Sequence, residues 1–253
     1  MVPDVFADPT ALVIFALIGF AAQLVDGALG MAFGQISSTL LISTGVPPAA
    51  ASAGVHTAET FTTMVSAISH VAHRNVDWRL FVRLVLPGVI GGVAGAYVLT
   101  LGAARAKPFV LAYLTALGLY LFYRGVMHRH TERRPRIVAP LGLVGGFLDA
   151  AGGGGWGGIV TSNLLVQGSN PRKTIGTVNT AEFFLTVTIS ATFIATLGWQ
   201  AFTTATVGLL IGGVCAAPFG AWIAKRVNPD LLLTFVGALL TLVSCYGLYR
   251  ALA

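Results

Sequence analysis

The chain has 253 residues, of which 55% are hydrophobic and only 9% charged, and its mean hydropathy is +0.82. A soluble domain carries about one quarter charged residues, so this balance excludes an ordinary soluble protein, while apolar runs of roughly 20 residues exclude the short alternating strands of an outer-membrane barrel. The net charge of +6 does not point to nucleic acid, because most of the basic residues lie in short loops between apolar segments, where they set membrane topology.

The start, MVPDVFADPT, has no basic residue and no cleavage-like site, so the first apolar segment is expected to stay in the protein. The stretch Ala11 to Val46 is too long for one span. VDGALG at residues 25–30 interrupts it, because Asp26, Gly27 and Gly30 weaken a helix, and two arms around a break are predicted. Pro47-Pro48 closes this segment, since proline is tolerated in the first turn of a helix. Helices are predicted at Pro48–His73, Trp78–Leu101 and Pro108–Val126. The polar, basic joint RGVMHRHTERRPR follows at residues 124–136. Beyond it come a second broken pair, Ile137–Gln167, and helices at Pro171–Leu197, Ala201–Ala224 and Pro229–Leu248. Cys215 and Cys245 stand alone in apolar segments, with no CxxC and no nearby His, and read as small membrane-buried residues.

The second half repeats the first. At a constant shift of 123 positions, Asp26 falls on Asp149, Gly30 on Gly153, Gly34 on Gly157, Thr39 on Ser162, Pro48 on Pro171 and His56 on Asn179. Thr57-Ala58-Glu59 likewise falls on Thr180-Ala181-Glu182, and Trp78 and Pro108 match Trp199 and Pro229 two positions earlier. Residues 1–127 and 137–253 are thus two copies of one unit joined by a linker at 128–136, together one transmembrane transport domain. If each unit is a re-entrant broken pair plus three spans, the units are inverted, and twelve of the 15 Lys and Arg share the linker's face, leaving Arg105, Lys107 and Arg250 opposite. Single-crossing broken pairs would make the units parallel and split the cations nine to six. The positive-inside rule favours the inverted arrangement, with the linker cytoplasmic and the N-terminus, carrying Asp4 and Asp8, outside. The expected fold is therefore an all-α polytopic membrane protein of two inverted-topology repeats. Secondary transporters share this architecture and place their sites at the repeat interface.

Of nine acids, Asp26, Glu59, Asp149 and Glu182 lie within apolar segments and form two repeat-related pairs. Charge at membrane depth is costly unless paired, hydrated or neutralised, so such acids are commonly interior and functional. For Asp26 and Asp149, helix capping stands beside a functional role. Glu59 and Glu182 sit mid-helix: His56, Glu59 and Thr63 share one face, as do Asn179, Glu182 and Thr186. There a proton relay stands beside a buried polar lock. His56 is the more switchable of the matched pair, since Asn179 cannot titrate.

The cluster GGGGWGG, residues 152–158, bares backbone amides, and Thr161, Ser162 and Asn163 follow it as Ser37, Ser38 and Thr39 follow Gly34. Packing is the default reading for Gly91-Gly92, Gly95 and Gly212-Gly213. No Lys or Arg lies deep in an apolar segment, so an anion would be held by amides, hydroxyls and helix ends. The expected substrate contacts are Gly30, Gly34, Gln35, Ser37, Ser38 and Thr39 in the first arm, and Gly153, Gly154, Gly155, Trp156, Gly157, Thr161, Ser162 and Asn163 in the second. His56, Thr57, Asn179 and Thr180 join them from the helices that follow.

The glycine start with a nearby Asp, the proline opening the next helix, the closing Thr-Ala-Glu-Phe and the duplication over nearly the whole chain resemble the TauE/SafE group of sulfite and organosulfonate exporters. The resemblance implies export of small sulfur-containing anions, such as sulfite or sulfoacetate, across a bacterial inner membrane. A passive anion channel and a cation or metal carrier using the four acids are the alternatives. An enzyme is not expected, because no nucleophile stands beside a titratable base and no HExxH motif occurs. No cofactor or bound metal is expected either. The expected partners are a small anion and the lipid bilayer, with no nucleic acid and with a homodimer as the candidate assembly.

Overall fold

The computed structural model describes residues 9–29, 31–43, 45–127, 135–167, 169–198, 204–224 and 229–252. Asp4, Asp8, Gly30, residues 128–134 of the linker, Trp199, Ala201 and the pair Lys225-Arg226 lie outside the described residues. Within them the protein is all helical. The first unit comprises α1 (Pro9–Leu29), α2 (Phe33–Ser43), α3 (Pro48–Ala72), α4 (Trp78–Leu101) and α5 (Ala103–Val126). The second comprises α6 (Ala139–Gly152), α7 (Ser162–Val166, entered through a π-helical turn Gly157–Thr161), α8 (Pro171–Leu197), α9 (Thr204–Ala224) and α10 (Pro229–Leu252). Among the described residues, four segments are long and apolar enough to cross a bilayer, Pro9–Asp26, Trp78–Leu101, Pro108–Val126 and Lys173–Leu197. Their outward faces are greasy: Leu17, Leu86 and Ile90 are each more than 60% exposed, which suits lipid and not water. Cys215 and Cys245 are unpaired on the same outer surface.

Most helix starts obey local chemistry. Pro48 and Pro171 open α3 and α8, where the missing N–H costs nothing. Asp77 caps α4 by accepting from the Arg79 and Leu80 amides at 3.0 and 3.2 Å, and Asn170 caps α8 from the Lys173 amide at 3.1 Å. Two sequence expectations shift. α5 begins at Ala103 and takes Pro108 into its first turns, and the first break falls after Leu29, several residues beyond the Asp26-Gly27 pair. A lone glycine costs a helix only about 1 kcal/mol, and the flanking apolar contacts outweigh it.

Glycines set the helix pairing. Gly91 and Gly95 of α4 lie against the Leu143 and Phe147 carbonyls of α6, where any Cβ would strike backbone. Gly212 of α9 lies in the same way against Ala16 of α1, and Gly237 of α10 against Phe122 of α5. Each unit's first helix therefore packs on the other unit's fourth, while α3 faces α8 and α5 faces α10. Such close approach supplies dispersion contact where lipid offers no hydrophobic drive.

Two contacts fix how the chain turns. Gln167, just past α7, accepts through Oε1 from the Arg136 and Ile137 amides, both at 2.9 Å, and returns Nε2 to the Ile137 carbonyl at 3.2 Å. Laid end to end, α6 and the second arm would separate these groups by roughly 35 Å at 1.5 Å per residue, so the pair is a hairpin. In the first unit α2 also folds back along α1: Ile14, Leu17, Ile18 and Val25 share one apolar groove of about 360 Å³ with Ile36 and Leu40. The second contact is Lys173, at the start of α8, whose Nζ donates to the carbonyls of Arg74 at 2.6 Å and Val76 at 3.4 Å. The α3–α4 turn and the start of α8 thus occupy the same end of the bundle.

Candidate functional site

The two breaks meet at the centre. Gly153, Gly154 and Gly155 have φ of 76°, 141° and 152°, a run that side-chain-bearing residues rarely adopt. At Gly154 a Cβ would also run into Gly34 and the Gln35 amide, so the breaks touch backbone to backbone. The glycines are the turn itself, and the second arm begins only at Trp156. At the matching place in the first break Ala32 has φ 113° and carries the strain that Gly155 avoids.

Each break is spanned by its aspartate. Asp149 Oδ1 accepts the Trp156 amide at 2.8 Å, and Asp26 Oδ1 accepts the Phe33 amide at 3.4 Å, both seven residues on. The acids thus sit in the last turn of the first arm and cap the start of the second across the gap, which supports the capping reading. Asp149 does more. Its Oδ2 lies 2.9 Å from His56 Nε2 on α3, and both residues are buried, at 2% and 0% exposure.

The other sequence-derived residues divide into engaged and unengaged groups. Ser38 donates to the Gly153 carbonyl, tying the first arm to the second break. Thr57, Thr180 and Asn163 bond carbonyls four residues back in their own helices. Ser162 faces the Met31 sulfur at 3.8 Å, and Asn179 donates to Ser66 Oγ at 3.3 Å. Trp156 is fully buried with its ring against Gly88 and Gly145, and its Nε1 donates to the Val178 carbonyl at 3.2 Å. By contrast Gln35 Nε2, Ser37 Oγ, Thr39 Oγ1, Thr161 Oγ1 and Glu59 Oε2 are buried polar atoms with no partner. Such atoms cost about 1–3 kcal/mol each unless something bonds them. Gln35 extends into the space left by Gly158, its own counterpart at the 123-residue shift.

Glu59 Oε1 lies against Gly34 on the side that Gly154 also approaches, which sets the carboxylate beside the contact between the breaks. Glu182, 7% exposed on α8, is within electrostatic range of Glu59, Asp26 and Asp149, so the four acids gather in one region. Among the described residues no three His, Cys, Asp or Glu side chains group as metal ligands. Two participants escape the sequence reading. Ser52 Oγ donates to the Ala150 carbonyl at 2.8 Å, and Tyr113 on α5 donates to the Gly154 carbonyl at 3.3 Å. Ser52 stands one turn before His56 on the same face, a signal that helical spacing could have supplied; Tyr113 carries no local signal at all.

The two touching breaks and their repeat-related aspartates fall within residues 15–247, which match the family described as Sulfite exporter TauE/SafE. The chain belongs to that family. It is also 42% identical over 243 residues to the Probable membrane transporter protein YtnM of Bacillus subtilis (strain 168), covering 92% of this chain and 81% of the relative. No solved structure matches it. As a TauE/SafE family member with several apolar helices, the protein is a multi-pass membrane transporter.

Proposed function

We propose that the protein is a secondary carrier that moves small sulfur-containing oxyanions, such as sulfite and organosulfonates, out across the bacterial inner membrane by alternating access. The observation that carries this reading is the set of unpartnered buried groups on the two second arms and on α3: Gln35, Ser37 and Thr39 of α2, Thr161 in the turn that enters α7, and Glu59 beside Gly34. A side-chain amide and three hydroxyls offer donors to an oxyanion, and with no buried Lys or Arg among the described residues such a site binds softly and releases. The family to which the chain belongs supports sulfur oxyanions as the class.

The carrier is built from two inverted units around this site. Two contacts support that topology. With α4 and α5 each crossing once, a re-entrant α6–α7 pair puts the α3–α4 turn and the start of α8 on one face, where Lys173 reaches Arg74, and the repeat extends the same form to α1–α2. Single-crossing pairs would set them a membrane thickness apart, roughly 30 Å. The hairpin closed by Gln167 agrees. The charge count favours a cytoplasmic position for that face and the linker.

Binding of radiolabelled sulfite, sulfate, taurine and acetate to the purified protein in nanodiscs tests the reading. Sulfite or a sulfonate is expected to bind in preference to acetate. Gln35→Ala and Thr39→Val are each expected to weaken binding by about ten- to a hundredfold, as one hydrogen bond to a charged group is worth roughly 1.5–3 kcal/mol. Equal binding by both variants, or no binding of any sulfur oxyanion, would sink it.

A further inference from the structure

His56 and Asp149 meet across the two units in a contact that requires one particular proton. His56 Nδ1 faces the Ser52 carbonyl at 2.7 Å, and a carbonyl only accepts, so Nδ1 carries a hydrogen. The Ser52 hydroxyl, 3.2 Å from Nδ1, is engaged with the Ala150 carbonyl and does not change that assignment. With Nδ1 protonated, a neutral ring has a bare lone pair at Nε2, which points at a carboxylate oxygen 2.9 Å away. Two acceptors repel. The contact holds only with a second proton between Nε2 and Oδ2, formally on the imidazole or on the acid.

Among the described residues the arrangement occurs once. At the matching position in the second unit stands Asn179, which turns to Ser66, while Asp26 keeps its amide contact alone. The surroundings are acidic and dry. Glu59 acts on His56 through space from α3 itself, α6 brings Asp149, and α8 sets the Phe193 ring 6.4 Å away. Tyr113 of α5 feels Asp149, and Asp26 of α1 and Glu182 of α8 join the acid group through Glu59. Among the described residues no Lys or Arg enters this buried set to compensate.

We infer that the His56–Asp149 pair is the proton-binding site of the carrier, holding one proton while the α6–α7 break is seated on α3 and releasing it when they part, so that one proton is coupled to each anion. This rests on the carrier reading above. The link to motion is direct: the carboxylate that shares the proton with Oδ2 also holds the Trp156 amide with Oδ1. Losing the proton therefore loosens the tip of the hairpin that lines the anion site. The Glu59–Glu182 pair need not be the relay.

The test uses the full chain in proteoliposomes with the membrane potential clamped at zero. Wild type is expected to accumulate radiolabelled sulfite about tenfold per imposed pH unit, as one proton per anion requires. In His56→Gln, which keeps a donor toward Asp149, and in His56→Asn, the residue of the sister position, any remaining flux is expected to equilibrate without accumulation. Wild-type accumulation in both variants would overturn the assignment. Nitrogen NMR of histidine-labelled protein in nanodiscs reads the site without transport. A ring protonated at Nδ1, with an Nε2 signal that Asp149→Asn alters, is expected. An unprotonated Nδ1 from about pH 6 to 9 would overturn the proposal. If wild type moves no sulfur anion, the carrier reading fails on its own, and the NMR result still decides the proton site.

Discussion

Asp149→Ala is expected to destabilise the protein by about 3–5 kcal/mol, while its repeat partner Asp26→Ala costs only about 1–2 kcal/mol. Removing Asp149 strands the buried His56 Nε2 and frees the Trp156 amide together, whereas Asp26 gives up one long amide contact at 3.4 Å. Thermal unfolding of the two variants in the same detergent measures the difference. The double change Asp149→Ala with His56→Leu should recover part of the loss, because an apolar pair leaves no polar atom stranded. Equal losses at the two aspartates would mean that the cross-unit bond contributes little.

The second large effect is expected at Gly154. Its φ of 141° excludes ordinary side chains, and its Cα lies against Gly34, so Gly154→Ala adds backbone strain of about 1–3 kcal/mol to an overpacking cost of similar size. The variant should fail to transport even where it still inserts, since the two breaks can no longer touch. The converse change is favourable: Ala32→Gly relieves a φ of 113° and should raise stability by about 1 kcal/mol. Melting curves of both variants check the pair. A neutral Gly154→Ala would show that the breaks are less tightly joined.

Much of the scaffold was legible because membrane helices declare themselves locally. Trp78–Leu101 and the start of α8 at Pro171 follow from apolar length and from proline and cap chemistry, and the 123-residue shift exposed the duplication. The position of the first break was not legible. Asp26 and Gly27 look like helix breakers, but Asp26 belongs inside the last turn, where it can reach seven residues ahead to Phe33. Spacing placed His56 and Glu59 on one face of α3, toward a broken hairpin, but could not say which residues lay opposite. His56 meets Asp149 of the other unit, and Glu59 leans on Gly34 of its own. Contacts between residues 93 positions apart leave no local trace, and neither does the reach of Tyr113 to Gly154.

Trp156 adds an optical consequence. Its indole is wholly enclosed, with Nε1 bonded to the Val178 carbonyl, at the very point where the second arm leaves the break, whereas Trp78 is 56% exposed at the start of α4. With Trp78, Trp199 and Trp222 replaced by Phe, the one remaining chromophore would emit as a dry indole while the hairpin tip is seated and would shift to the red as soon as water or substrate reached it. If the hairpin tip moves as proposed, this native fluorophore would follow the cycle in real time without an attached label.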